Sequence, residues 1–233
     1  MGISTRGRKK DCVRTNTLCC DGFLMASDEV SCAVFDKTGE LEGCVSWSCD
    51  TGLKCVSKPD VCEPPSVEVL EGLLNSVQSS CRHGDEVWPN LYLGDMFMSH
   101  DKYGLWRLGI THVLNAAHGK VCCKGSDDYY GTTVSYYGVP ANDLPSFDLS
   151  AFFYPAAQFI HHALMSGGKV LVHCAVGVSR SATLVLAFLM IHHHYPLLAA
   201  VRLVQQKRWI FPNRGFLKQL INLDRILQRE RKD

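Results

Sequence analysis

Cys174 and Arg180 are separated by five small or uncharged residues, Ala175, Val176, Gly177, Val178 and Ser179. That spacing suits one kind of chemistry. A thiol becomes a strong nucleophile when an electropositive site lowers its pKa from about 8.5. A guanidinium is a planar fork that holds two oxygens of a phosphate at once. A loop of small residues running into a helix adds unpaired backbone N–H groups and the positive end of the helix dipole. Together these describe a nucleophile facing a phosphate cradle. Cys and Arg at this spacing alone are weak evidence, and the alternative is a buried structural cysteine beside a core helix. The motif gains force from its context: His173 before the Cys, Gly177 where the loop must turn, and Ser181 after the Arg.

The elements that must position this loop can be read on either side of it. Lys169 to Val172 is short and β-branched, which predicts a buried strand. From Ser181 the chain is apolar on every helical face through Leu184, Val185, Leu186, Phe188, Leu189, Met190 and Ile191, which predicts a helix enclosed by protein. Strand, loop and helix follow in the order a phosphate site needs.

Cleavage of a phosphate ester also needs a proton for the leaving oxygen, and one carboxylic acid on a loop can give and retake it. Two candidates lie close together, Asp143 in Pro140-Ala141-Asn142-Asp143-Leu144-Pro145 and Asp148 just after it. Asp148 precedes a helical run and suits an N-cap. Asp143 is the better candidate for the acid.

HCAVGVSRSAT resembles the HCxxGxxRS signature of the cysteine-based protein tyrosine phosphatases in their dual-specificity form. The likeness runs from about Asp85 to Arg229 through DEVWPNLYLGD, LGITHVLNAA, VPANDLPSFDLSAFF and RWIFPNRGFLKQL. Within that family it is most similar to the small atypical, muscle-restricted type. The resemblance implies an α/β domain with a central, mostly parallel sheet flanked by helices. It implies hydrolysis of phosphotyrosine and phosphoserine or phosphothreonine through a phosphocysteine on Cys174. Arg180 and the loop Ala175 to Ser179 would bind the phosphate, and Asp143 would be the acid and then the base. Ser181 would help the thiolate depart, and His173 would order the loop and tune Cys174. The chemistry requires no metal and no cofactor. Lipid phosphatases of this superfamily tend to carry Lys in the loop; here its five residues are neutral, which favours phosphoprotein substrates, with signalling kinases as a further class of partner. The competing role is a non-catalytic scaffold for phosphoproteins or kinases, but such relatives usually lose the Cys, the Arg or the acid, and all three are present.

The rest of the sequence bounds the answer. A net charge of +1 argues against a nucleic-acid binder or a polybasic membrane binder. No apolar N-terminal segment reads as a signal peptide, and the apolar runs are too short to span a bilayer, so the expected location is the cytoplasm, with the nucleus also open. Arg6 stands where a myristoylation motif wants Ser or Thr. Residues 1–63 carry eight of the twelve cysteines yet lack a C-x2-C pair, which argues against zinc. An intracellular setting argues against a disulfide framework, leaving a poorly ordered extension as the expectation.

Residues 64–83 are expected to hold a linker and a short amphipathic helix, with Leu70, Leu73, Leu74 and Val77 at helical spacing after a cap at Ser66. The catalytic domain is expected over 84–230. Two strand pieces broken by Pro89 are predicted in Val87 to Leu93, a helix over Ser99 to Leu108 ended by Gly109, and strands over Thr111 to Asn115 and Thr133 to Val139. A polar loop is predicted over Ala117 to Thr132, with Cys122 and Cys123 as ordinary loop residues rather than a protective disulfide. Asp148 is predicted to cap a long helix that Pro155 bends or delays, and helices over Leu197 to Arg208 and Asn213 to Arg229 follow. His192, His193 and His194 read as a solvated helix terminus.

Overall fold

The computed structural model describes residues 30–35, 41–47, 64–76 and 82–231. The chain divides into two compact units, Met1–Cys62 and Glu63–Asp233. In the first, β1 (Val30–Phe35) and β2 (Leu41–Trp47) form an antiparallel hairpin, which the aperiodic sequence did not predict. The other residues of that extension, with the expectation of poor order, lie outside the described residues.

The second unit opens with α1 (Val67–Ser76), whose Leu70 and Leu74 enter the main core. Then come β3 (Gly84–Trp88), β4 (Leu91–Gly94), α2 (Met96–His100), α3 (Lys102–Leu108), β5 (His112–Asn115), α4 (Asp127–Tyr130) and β6 (Ser135–Gly138). A single 3-10 turn, Ser150–Phe152, leads into α5 (Phe153–Met165), followed by β7 (Val170–His173), α6 (Arg180–His192), α7 (Leu197–Gln205) and α8 (Arg214–Glu230). The five strands of this unit lie in the order β3-β4-β7-β5-β6, with β3 antiparallel to β4 and the remaining pairs parallel. This is the mostly parallel sheet flanked by helices that the resemblance implies.

The central strand, β7, is buried on both faces, as a parallel strand covered by helices must be. Val170 and Val172 join the large core beneath α5 and α6, while Leu171 joins a smaller cluster with Leu105, Ile110, Val113 and Tyr130 on the opposite face. Every residue of α6 from Arg180 to Met190 is buried, so the uniformly apolar stretch is indeed an enclosed helix.

Several elements differ from the sequence expectation. The helix predicted over Ser99 to Leu108 is two helices, because two aspartates cap separate starts. Asp95 accepts from the amides of Phe97 and Met98, and Asp101 from that of Gly104. The polar loop of Ala117 to Thr132 contains α4 and two buried anchors, Cys123 and Tyr130, the latter donating its hydroxyl to the Ser99 carbonyl at 3.0 Å. Asp148 accepts from the amide and hydroxyl of Ser150 at the start of the 3-10 turn and does not cap the long helix, whose N-cap is Phe152. Pro155 then falls in the first turn of α5, where its missing N–H removes no helical bond. His192 ends α6, and the exposed His193 and His194 follow it as the solvated terminus expected, with ring contacts on one side. His192 stacks on His161 with centroids 4.1 Å apart, and His193 packs on Trp88 and against the edge of Phe188.

Candidate active site

β7 ends at His173, so Cys174 emerges at the carboxyl end of the central strand, where parallel sheets present their ligand sites. Cys174 is 1% exposed, and its Sγ accepts two hydrogen bonds, from the Gly177 amide and the Ser181 hydroxyl, both at 3.2 Å. Burial is the largest single influence on this thiol and pushes its pKa up. The hydroxyl and amide of Ser181, the charge of Arg180 and the Gly177 amide together outweigh it and leave the pKa below the ordinary value. His173 is completely buried, and burial drives its imidazole down to about 4, so it is neutral near neutral pH.

Every carbonyl of the loop from Ala175 to Ser179 is accounted for on its outer side. Ala175 accepts from the Met96 amide at 3.2 Å, Val178 from the Phe211 amide at 3.0 Å, and Ser179 from the amide and hydroxyl of Thr183. Arg208 takes the remaining two, its Nε donating to Gly177 at 3.0 Å and its Nη2 to Val176 at 3.3 Å. Gly177 sits at φ +74°, and a Cβ there would lie 2.4 Å from the Gly94 carbonyl oxygen, so this turn admits no side chain.

Arg180 opens α6 and reaches toward the loop of Pro140 to Pro145. Its Nη1 donates to the Ala141 carbonyl at 3.3 Å, and its Nε lies 3.4 Å from Asp143 Oδ2. Asp143 Oδ1 accepts from the Ser179 hydroxyl at 2.7 Å and from Asn213 Nδ2 at 2.9 Å. Asn213 is also the N-cap of α8, where its Oδ1 accepts from the Phe216 amide. Lys120 donates to Asn142 and ties the same loop to the segment after β5. Asp148 points elsewhere, to Ser150.

The predicted residues His173, Cys174, the loop 175–179, Arg180, Ser181 and Asp143 therefore converge. Sequence reasoning did not find Asp85, Arg208 and Asn213, because their contacts span from 31 to 123 residues of chain. Asp85 Oδ2 accepts from Arg208 Nη1 at 2.8 Å, and both side chains are buried. Their one local signal is Asn213, a helix-capping type placed before an amphipathic run. Cys123 shares the core cluster of Cys174, but burial, with Cys122 adding, pushes its thiol up to about 12, so it is no thiolate. Two surface cavities of about 560 and 420 Å³ flank α3 and include none of these groups.

Comparison with known proteins agrees with this geometry. Residues 91–226 match the family described as dual specificity phosphatase, catalytic domain. The chain is 56% identical to human dual specificity protein phosphatase 26 over 161 residues, covering 68% of this chain and 75% of that one. The rat protein of the same name matches to the same extent. Among solved structures, human DUSP28 is 30% identical with a TM-score of 0.59, covering 65% of this chain and 99% of that one. A mouse putative dual specificity phosphatase complexed with zinc tungstate is 29% identical, also at 0.59, over 67% of this chain and 95% of that one. The chain belongs to the dual specificity phosphatase family and is a protein phosphatase.

Proposed function

We propose that Cys174, Arg180 and Asp143 carry out the hydrolysis of phosphotyrosine, phosphoserine and phosphothreonine in proteins, in two steps. The observation that carries this reading is the meeting of Asp143 with Arg180 beside the Cys174 loop, brought together from separate parts of the chain. The Cys174 thiolate attacks phosphorus in line, forming the S–P bond as the ester P–O bond breaks. Asp143 delivers its proton to the departing oxygen. Arg180 and the inward amides of the loop hold the equatorial oxygens, where charge resides in the transition state. Water then attacks the phosphocysteine and gives its proton to Asp143, while Ser181 donates a hydrogen bond to the leaving thiolate. His173, neutral and buried, orders the loop and moves no proton. The tungstate of the related mouse structure is an oxyanion of the kind such a cradle would take.

The neutral loop, with Val176 exposed on it and Leu144 exposed on the segment that carries Asp143, supports a phosphoprotein over a polyphosphorylated lipid headgroup. Signalling kinases are the class of phosphoprotein partner we propose. The test is hydrolysis of a small aryl phosphate across mildly acid to mildly alkaline pH. Cys174→Ser is expected to abolish turnover. Asp143→Asn is expected to lose about 10²–10⁴-fold and to flatten the fall in kcat/KM on the alkaline side. A wild type no faster than Cys174→Ser would replace catalysis by phosphoprotein binding.

A further inference from the structure

Among the described residues, Arg208 has the largest of the fully buried side chains, and it takes no part in the steps above. A buried ion pair seldom stabilises a fold more than apolar residues of the same volume would. Its donors account for its place. Nε and Nη2 hold the Gly177 and Val176 carbonyls, while Nη1 is anchored on Asp85 at 2.8 Å and on the Arg82 carbonyl at 2.6 Å. The carbonyls of Ala175, Val178 and Ser179 are held by backbone amides, so the middle of the loop is the part whose carbonyls rest on a distant side chain. A planar trans peptide points its carbonyl and the following N–H in opposite directions. Drawing the Val176 and Gly177 carbonyls outward therefore turns the Gly177 and Val178 amides inward. The Gly177 amide does point in, to Cys174 Sγ at 3.2 Å.

Resting on the phosphate-cradle reading above, we propose that Arg208, locked by Asp85, is a positioning residue that sets the amides receiving the phosphoryl oxygens. Lysine cannot replace it, since an ammonium keeps the charge but not the planar fork that spans two carbonyls and a carboxylate.

The test compares the full chain with Arg208→Lys and Asp85→Asn by thermal unfolding, orthovanadate affinity and the pH profile of kcat/KM. Arg208→Lys is expected to weaken vanadate binding and kcat/KM by about 10²-fold. The acid limb, which reports the Cys174 thiol, is expected to move to higher pH as the Gly177 amide turns away. Asp85→Asn, which keeps Arg208 but loosens its anchor, is expected to move all three readouts in the same direction by less, and it carries the test if Arg208→Lys does not fold. Folded variants with lowered melting temperature but wild-type vanadate affinity and acid limb would reduce Arg208 to a structural ion pair and overturn the proposal. A wild type that does not bind vanadate would overturn the cradle reading, and this proposal with it.

Discussion

Burial alone would push the Cys174 thiol up, yet its hydrogen bonds and Arg180 bring its pKa below the ordinary value, so each hydrogen bond to its sulfur matters. The two donors, Ser181 and Gly177, lie on the loop and helix that follow, so the proposed nucleophile is tuned by the same loop that we propose binds its substrate. The neighbouring His173 has the opposite fate. Its folded pKa of about 4 lies well below the usual 6.5, because the fully buried ring is kept neutral. The unfolded chain takes up a proton on this group below about pH 6.5 and the folded chain does not. Stability is therefore lost as pH falls from about 6.5 toward 4. The loss from this site reaches roughly 3 kcal/mol, at about 1.4 kcal/mol per unit. Denaturant unfolding across that range is expected to show it, and His173→Gln to show a shallower dependence.

At the scale of elements, the site is a strand end, a loop and two helix starts. α6 brings Arg180 to the loop, and α8 brings Asn213 to Asp143. The acid loop sits directly on the first turn of α8. A Cβ at Gly215 would fall 1.9 Å from the Pro145 carbonyl oxygen and 2.6 Å from its carbon. Alanine suits a helix better than glycine by about 1 kcal/mol, so Gly215→Ala should not harm α8 itself. It is expected to push the Pro140 to Pro145 loop away from Arg180. Turnover should then fall by about 10-fold or more while vanadate binding stays near wild type. That separation of chemistry from oxyanion affinity distinguishes an acid-loop defect from the cradle defect expected of Arg208→Lys.

At the scale of the whole molecule, the catalytic unit is larger than its motifs. Residues 91–226 carry the family match, but α1 contributes Leu70 and Leu74 to the main core, and Arg214 of α8 pairs with Glu68 and Glu71. Burying two leucines is worth about 3–6 kcal/mol. Chain beginning at Glu63 is expected to keep the wild-type melting temperature and kcat/KM. Chain beginning at Asp85 is expected to unfold several degrees lower, since it exposes the surface that α1 covers. Among the described residues, no helix is long and apolar enough to cross a membrane.

What the sequence determined by itself was local. Strand β7, the buried helix α6, the loop between them and the pairing of Cys174 with Arg180 all lie within one continuous stretch, so periodicity and spacing suffice to read them. Asp143 could be preferred over Asp148 because a helix-start position has its own chemistry. The tertiary structure alone decided which groups surround that stretch. Arg208 and Asn213 reach the loop from separate segments, Asp85 reaches it only through Arg208, and nothing in a residue's type says which carbonyl a buried guanidinium will meet. The split of α2 from α3 and the buried anchors in the 117–132 segment were missed for the same reason. Capping and burial are settled by neighbours in space, which one-dimensional spacing does not contain.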